Sequence, residues 1–330
     1  MHTQANKPTI YVTRKLPDLI ANRLEAACHV KMWEEADIPV PRDVLLREVR
    51  DADGLLCLLT ERIDAELLQQ AHRLKIVSNM AVGYNNIDVA AATAAGVMVA
   101  NTPGVLTETT ADLTFALLMA TARRLVEASD LLRGGGWKTW SPMLLTGQDV
   151  YGATLGIIGM GAIGEAVARR ARAFDMNVVY YNRSRRPEAE ERYGLTYTDM
   201  DSLLSQSDYV CVMAPYTPET INLIDEPQLA LMKPTAILIN SARGGIVNED
   251  ALYRALKDGR IWAAGLDVFD VEPVPTDHPL LTLPNVVALP HIGSASIQTR
   301  MKMAHLSVDN LLLGLAGERP TFLVNPEALG

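Results

Sequence analysis

Residues 152–164, GATLGIIGMGAIG, restrict what this chain can become more than any other stretch. A short apolar run, LGII, leads into Gly159-Met160-Gly161-Ala162-Ile163-Gly164, and EAVARRARAF continues with the spacing of a helix. Strand, glycine turn and helix, in that order, make the surroundings a dinucleotide pyrophosphate needs. Gly159 permits the tight turn, Gly161 lets the backbone approach the phosphates, and Gly164 lets the helix lie close to the strand. The phosphates would face free N–H groups at the positive end of the helix. A GxGxxG by itself is common. Here a strand precedes it, a helix follows, and a second strand, NVVYYN (177–182), lies beyond.

The end of that second strand selects between cofactors. An NAD site usually carries Asp or Glu about 20 residues after the fingerprint, on the ribose 2′-hydroxyl. This chain has Asn182 there, in the run Asn182-Arg183-Ser184-Arg185-Arg186. The run holds no carboxylate to repel a 2′-phosphate, and its arginines offer charge-assisted, bidentate bonds to one. The expectation is NADPH (NADP) over NADH.

With 330 residues there is room for two domains and a large core. A net charge of −9 disfavours non-specific nucleic-acid binding, which needs a basic surface. Cys28, Cys57 and Cys211 are few and far apart, and no CxxC or Cys/His cluster suggests a metal. A reducing cytoplasm fits such cysteine usage. The start, MHTQANKPTIYVTRK, lacks the apolar core of a signal peptide, and no apolar run is long enough to span a membrane.

The first hundred residues alternate strand and helix patterns: TIYVT, LPDLIANRLEAAC, GLLCLL, AELLQQAHRL, IVSNM, NIDVAAATAAG and VMVAN. Repeated βα units of this kind predict a parallel sheet flanked by helices. After Thr102-Pro103-Gly104, one long helix is expected over TETTADLTFALLMATARRLVEAS. LLRGGGWKTWSPMLLTGQDVYG then breaks the pattern with a triple glycine, a proline and two tryptophans. It reads as an extended arm suited to a subunit interface. A second α/β unit runs from 152 to about 292, and IQTRMKMAHLSVDNLLLGLAG beyond it reads as a helix returning to the first domain. The expected fold class is therefore α/β, with two Rossmann-like domains and a cleft between them. Residues 1–102 plus 293–330 would bind substrate, and 103–292 would bind the dinucleotide.

Three segments follow later strand patterns: Ser241-Ala242-Arg243-Gly244-Gly245, Asp267-Val268-Phe269-Asp270-Val271-Glu272-Pro273, and Pro290-His291-Ile292-Gly293-Ser294. Strand C-termini line the binding crevice of open parallel sheets, so Arg243, Glu272 and His291 are the candidates to converge. A guanidinium binds a carboxylate in a fork. A histidine can protonate an oxygen as hydride reaches the adjacent carbon. A carboxylate beside it orients the ring and favours its charged form. Together they fit reduction of a 2-oxo acid to a 2-hydroxy acid. The remaining histidines lack such a setting. His2 is terminal; His29, His72 and His305 lie in or beside helical patterns; His278 sits in a proline-rich loop. In the first domain, the turn around Val82 and Gly83 exposes backbone N–H groups that suit a carboxylate, although a plain strand-to-helix turn would read the same way.

These motifs together resemble the D-isomer-specific 2-hydroxyacid dehydrogenase family. The resemblance is carried by VGYNNID, TTADLTFALLMATAR, GATLGIIGMGAIG, APYTPET, LMKPTAILINSARGGIVNEDAL, AAGLDVFDVEP and PHIGSAS, and it covers nearly the whole chain. YYNRSRRPEAE and the tryptophan-containing arm carry a closer likeness to the glyoxylate/hydroxypyruvate reductases, which overlap with 2-ketogluconate reductases. The resemblance implies His291 as proton donor, Glu272 as its partner and Arg243 as carboxylate binder. On the substrate it implies Val82, Gly83, Arg243, His291 and Ser294. Around the cofactor it implies Thr110, Gly159, Met160, Gly161, Ala162, Ile163, Asn182, Arg183, Ser184, Arg185, Pro215, Thr220, Ser241, Ala242, Arg243, Asp267, His291 and Gly293. Asp267 would lie near the nicotinamide amide. It also implies a cytoplasmic enzyme, usually a homodimer, with no metal and with neither nucleic acid nor membrane as partner. Two alternatives stay open at this level: a different 2-oxo acid, or a dinucleotide-sensing scaffold like the related corepressors.

Overall fold

The apolar runs form parallel strands in the computed structural model, which describes residues 7–329. His2 lies outside the described residues. The chain folds as two units. One runs to Leu106 and resumes at Ser296; the other is Thr107–Ala295.

The first unit holds a five-stranded sheet of β1 (Thr9–Val12), β2 (His29–Met32), β3 (Gly54–Cys57), β4 (Ile76–Asn79) and β5 (Met98–Ala100), in the order β2-β1-β3-β4-β5. All its pairings are parallel. β3 and β4 are buried at every position, which is what helices on both faces of a parallel sheet produce. The helix Ile297–Leu315 packs on this sheet. Its Gly314 is so close that a Cβ would sit 2.4 Å from Ile76 Cδ1. Ser78 Oγ donates to the Ser307 carbonyl at 2.8 Å, and Asn310 Nδ2 to that of Asn101 at 3.0 Å. The sequence reading misses β2 and the helix Arg42–Glu48. β2 reads HVKM, with His29 and Lys31 exposed on an edge strand, so it lacks the apolar signature of its neighbours. His29 opens this strand directly after Cys28, the C-cap of the helix Asp18–Ala27.

The second unit holds β6 (Thr154–Ile158), β7 (Asn177–Tyr181), β8 (Thr196–Tyr197), β9 (Tyr209–Val212), β10 (Ile237–Asn240), β11 (Ala263–Leu266) and β12 (Val286–Ala288). Their order is β12-β11-β10-β9-β6-β7-β8, again all parallel. Alternate residues feed two apolar clusters: Leu155, Ile157 and Cys211 belong to one, and Ile158, Val210 and Val212 to the other. The order reverses between β6 and β9, the switch point at which open α/β sheets bind ligands.

The single helix expected over 107–129 is two, Thr107–Ala122 and Leu125–Arg133. Arg124 breaks it with φ of 51°. The returning arm explains the break. Gln148 N–H takes the Ala122 carbonyl at 2.9 Å, and Arg124 pairs with Glu127 at 2.8 Å. The three cysteines are buried and unpaired. No helix among the described residues is long and apolar enough to cross a membrane.

Candidate active site

The fingerprint closes β6 and opens the helix Ala162–Arg172, with Gly161 at the cap. Gly159 has φ of 102°, and a Cβ there would lie 2.6 Å from Ala214 N. A Cβ on Gly164 would lie 2.4 Å from the Gly159 carbonyl oxygen. Both positions exclude side chains because backbone is in the way. Gly161 differs: a Cβ there meets nothing within 4 Å, so it faces an open cradle over the helix N-terminus. That geometry fits a pyrophosphate. Ala162 and Ile163 form the first helical turn, while the Met160 side chain is buried in the core. Met160 can therefore meet a cofactor only through its backbone.

After β7, Asn182 Nδ2 donates to the Ser184 carbonyl at 2.9 Å and shapes the basic loop. The arginines there are unequal. Arg185 is held by Glu190 at 2.7 Å, and Arg186 pairs with Glu165 at 3.2 Å. Arg183 is exposed and makes no ion pair within 4 Å among the described residues. The sequence run contains no carboxylate, yet the fold brings three to it: Glu165, Glu190 and Glu219. Glu190 is pulled down to about 2 by Arg185 and the Tyr180 hydroxyl. Glu219 is lowered mainly by the Thr217 hydroxyl, with a smaller contribution from Arg183. Linear distance concealed Glu165 and Glu219.

Past β9, Thr220 Oγ1 donates to the Pro215 carbonyl at 2.8 Å and closes that turn. Past β10, Ser241 Oγ and Thr114 Oγ1 lie 2.6 Å apart, and Thr114 Oγ1 donates to the Thr110 carbonyl at 2.8 Å. Asn240 organises the same turn. Its Oδ1 accepts from Ala242 N at 3.1 Å, and its Nδ2 donates to the Arg243 carbonyl at 3.0 Å. Arg243 Nη1 donates to the Ala242 carbonyl at 2.7 Å. Burial lowers the pKa of Arg243, and Glu272 opposes the shift.

His291 Nδ1 and Glu272 Oε2 lie 2.7 Å apart. Burial alone would raise Glu272, but the hydrogen bond and charge of His291, a bond from Phe269 N and the charge of Arg243 hold it below its ordinary value. Opposite charge and hydrogen bonding outweigh desolvation here. His291 has φ of 54°, a left-handed conformation that costs a non-glycine residue about 1–3 kcal/mol. The backbone after it is tied down: Ile292 N donates to Asp267 Oδ1 at 2.8 Å. Asp267 is raised by burial, and its Oδ2 has no hydrogen-bond partner. A Cβ on Gly293 would lie 3.2 Å from that oxygen and 3.4 Å from Thr110 Cγ2, so Thr110, Asp267 and Gly293 are neighbours. Ser294 follows in the same loop and is partly buried.

Val82 and Gly83 belong to the first unit, just past β4. Their carbonyls are held by Asn101 Nδ2 at 2.8 Å and Asn79 Nδ2 at 3.0 Å. Sequence reasoning passes over Asn240 and Thr114. Asn240 is findable as an Asn at a strand end, where a side chain often builds the turn. Thr114 is one of several threonines on its helix and carries no separate signal. No group of His, Cys, Asp or Glu among the described residues could hold a metal ion.

The model of the D-isomer specific 2-hydroxyacid dehydrogenase NAD binding domain matches residues 115–293. A glyoxylate reductase of Korarchaeum cryptofilum is 50% identical over 324 residues, covering 98% of this chain and 97% of its own. One from Thermococcus litoralis is 48% identical over 327 residues, 98% of each. Among solved structures, a Thermus thermophilus protein superposes with a TM-score of 0.89 at 45% identity, covering 96% of this chain and 99% of its own. The NADPH-dependent glyoxylate/hydroxypyruvate reductase of Sinorhizobium meliloti, in complex with NADP and malonate, has a TM-score of 0.83 at 36% identity over 98% of both chains. With a dinucleotide cradle at the sheet's switch point and full-length relatives of this kind, the chain belongs to the D-isomer specific 2-hydroxyacid dehydrogenase family and is an NAD(P)-dependent oxidoreductase.

Proposed function

We propose that this enzyme reduces glyoxylate and hydroxypyruvate to glycolate and D-glycerate, with NADPH as the preferred cofactor and 2-ketogluconate as a further candidate substrate. The observation that carries the reading is the His291–Glu272 pair at 2.7 Å, whose carboxylate also acts on the charge of the buried Arg243. The names of the relatives at about half identity point to the same substrate.

When bound, the nicotinamide supplies a hydride to the keto carbon. The chain's own groups do the rest. Arg243 binds the substrate carboxylate and polarises the carbonyl beside it. Glu272 occupies His291 Nδ1, which leaves Nε2 to give its proton to the carbonyl oxygen. The products are the hydroxy acid, the oxidised cofactor and a neutral imidazole that recovers its proton from water. Glu272 stays ionised throughout and holds the ring in place before transfer. Val82 and Gly83 contribute backbone N–H groups to the carboxylate, and Ser294 lines the substrate side.

Asn182 in place of an acid, and Arg183 without an ion pair, support the 2′-phosphate preference. The exposed Trp137, Trp140, Met143 and Leu144 of the arm support a homodimer. Steady-state kinetics on a panel of 2-oxo acids with NADPH and NADH test the whole reading. Highest kcat/KM for glyoxylate or hydroxypyruvate with NADPH is expected; a larger or aromatic 2-oxo acid ranking far above both would overturn it.

A further inference from the structure

A second carboxylate–histidine pair stands behind the first. Glu249, at the start of the helix Glu249–Lys257, has Oε2 3.1 Å from His278 Nε2. Its Oε1 accepts the backbone N–H of Asp270 at 2.7 Å. Both side chains are mostly buried, at 16% and 22% exposure, a costly place for a carboxylate with only a surface role. His278 is fixed in turn: its backbone N–H donates to the Pro275 carbonyl at 3.0 Å, and its ring meets that of Phe269 edge-on. His278 Nδ1 is buried without a partner. A bare lone pair there costs less than an unpaired N–H, which puts the hydrogen on Nε2, pointing at Glu249.

The peptide that Glu249 grips is where the proposed catalytic loops meet. Phe269 N–H donates to Glu272 Oε1 at 3.0 Å, so one end of the Phe269–Asp270 segment holds the carboxylate that faces His291. The other face is pressed against the turn that follows Arg243. A Cβ on Gly244 would lie 1.9 Å from the Phe269 carbonyl oxygen and 2.4 Å from Asp270 N. A shift of this peptide therefore displaces Glu272 directly and Arg243 through its neighbour. Nothing else among the described residues accepts the Asp270 N–H.

We infer that Glu249 and His278 are positioning residues, a clamp on the Phe269–Asp270 peptide that sets the placement of Glu272 and Arg243. The inference rests on the reading of Arg243, Glu272 and His291 as the reacting trio. Neither residue touches substrate in this scheme. What matters is an acceptor at Oε1, not the charge.

Glu249→Ala and Glu249→Gln in the full-length enzyme test it. Misplacement by a fraction of an ångström to one ångström is felt strongly by chemistry of this kind. Glu249→Ala is expected to lower kcat for glyoxylate by about ten- to hundredfold, with NADPH affinity within about twofold of the parent. Glu249→Gln keeps an oxygen for the Asp270 N–H and is expected to recover kcat to within about threefold. A Glu249→Gln enzyme as impaired as Glu249→Ala, or a Glu249→Ala enzyme with parental kcat, overturns the clamp. The ring signals of His291 in NMR of labelled histidine, assigned with His291→Gln, give a readout free of activity. They are expected to move in Glu249→Ala as they do in Glu272→Ala, and unmoved signals overturn the clamp even if kcat falls. Should His291→Ala keep full turnover while those signals still move in Glu249→Ala, the catalytic reading falls and the clamp stands.

Discussion

The Asn240 amide spans the turn that presents Arg243, accepting from the Ala242 N–H at 3.1 Å and donating to the Arg243 carbonyl at 3.0 Å. Asn240 is 2% exposed, so both bonds are out of water's reach. Asn240→Ala leaves the buried partners unmet, at about 1–3 kcal/mol. The expected outcome is a raised KM for glyoxylate, since the carboxylate binder loses its support, and a lower denaturation midpoint. Unchanged KM and midpoint would show that the turn holds itself.

His291→Ala should lower kcat by about 10²–10⁴-fold, the usual contribution of a positioned acid. NADPH affinity, followed by its fluorescence, should stay within a small factor. A loss confined to cofactor binding would remove the proton donor from the scheme.

Glu272 makes a pH prediction with a definite sign. Its folded pKa lies below the ordinary 4.5, so its contribution to stability is fully present above that value and is lost as pH falls through the folded pKa. The stability gap between the parent and Glu272→Gln should be flat near neutrality and shrink below pH 4.5. Urea denaturation at a series of pH values reads it. A gap that widens on acidification contradicts the pairing.

Two glycines of one motif should behave oppositely. Gly164→Ala drives a methyl into the Gly159 carbonyl and should destabilise by about 1–3 kcal/mol. Gly161→Ala meets no atom of the chain at φ of −90°, so stability should change by less than about 1 kcal/mol. Its effect should instead appear as weaker NADPH and NADH binding. Thermal melts beside cofactor titrations separate the two.

Cofactor choice should rest more on Arg183 than on Arg185. Arg185 is engaged by Glu190, whereas Arg183 has no ion pair among the described residues. Arg183→Ala is expected to weaken NADPH by about tenfold, one charge-assisted contact, and leave NADH nearly unchanged. Equal weakening of both cofactors would remove the 2′-phosphate from the argument.

Much of this was legible in the amino-acid order because the signals were local. LGII followed by GMGAIG fixes strand, turn and helix within a dozen residues. The parallel strands announced themselves as apolar runs because both faces are covered. β2 did not, since HVKM lies at an edge and keeps its charges outside. The break at Arg124 was hidden because its cause, Gln148, is more than twenty residues away. Glu190 against Arg185 could be suspected from their nearness in sequence, but Glu249 against His278 joins segments with no sequence relation.

The first unit is interrupted in the chain, and its sheet depends on a helix that begins only at Ile297. A ribosome delivers β1 to β5 long before it delivers their cover. Ile76 and Ser78 must wait for Gly314 and Ser307, while Thr107–Ala295 is made without interruption and can collapse on its own. Synthesis thus finishes the later unit before the earlier one, and loss of the last thirty-odd residues would strand the opening hundred without touching the nucleotide fold between them.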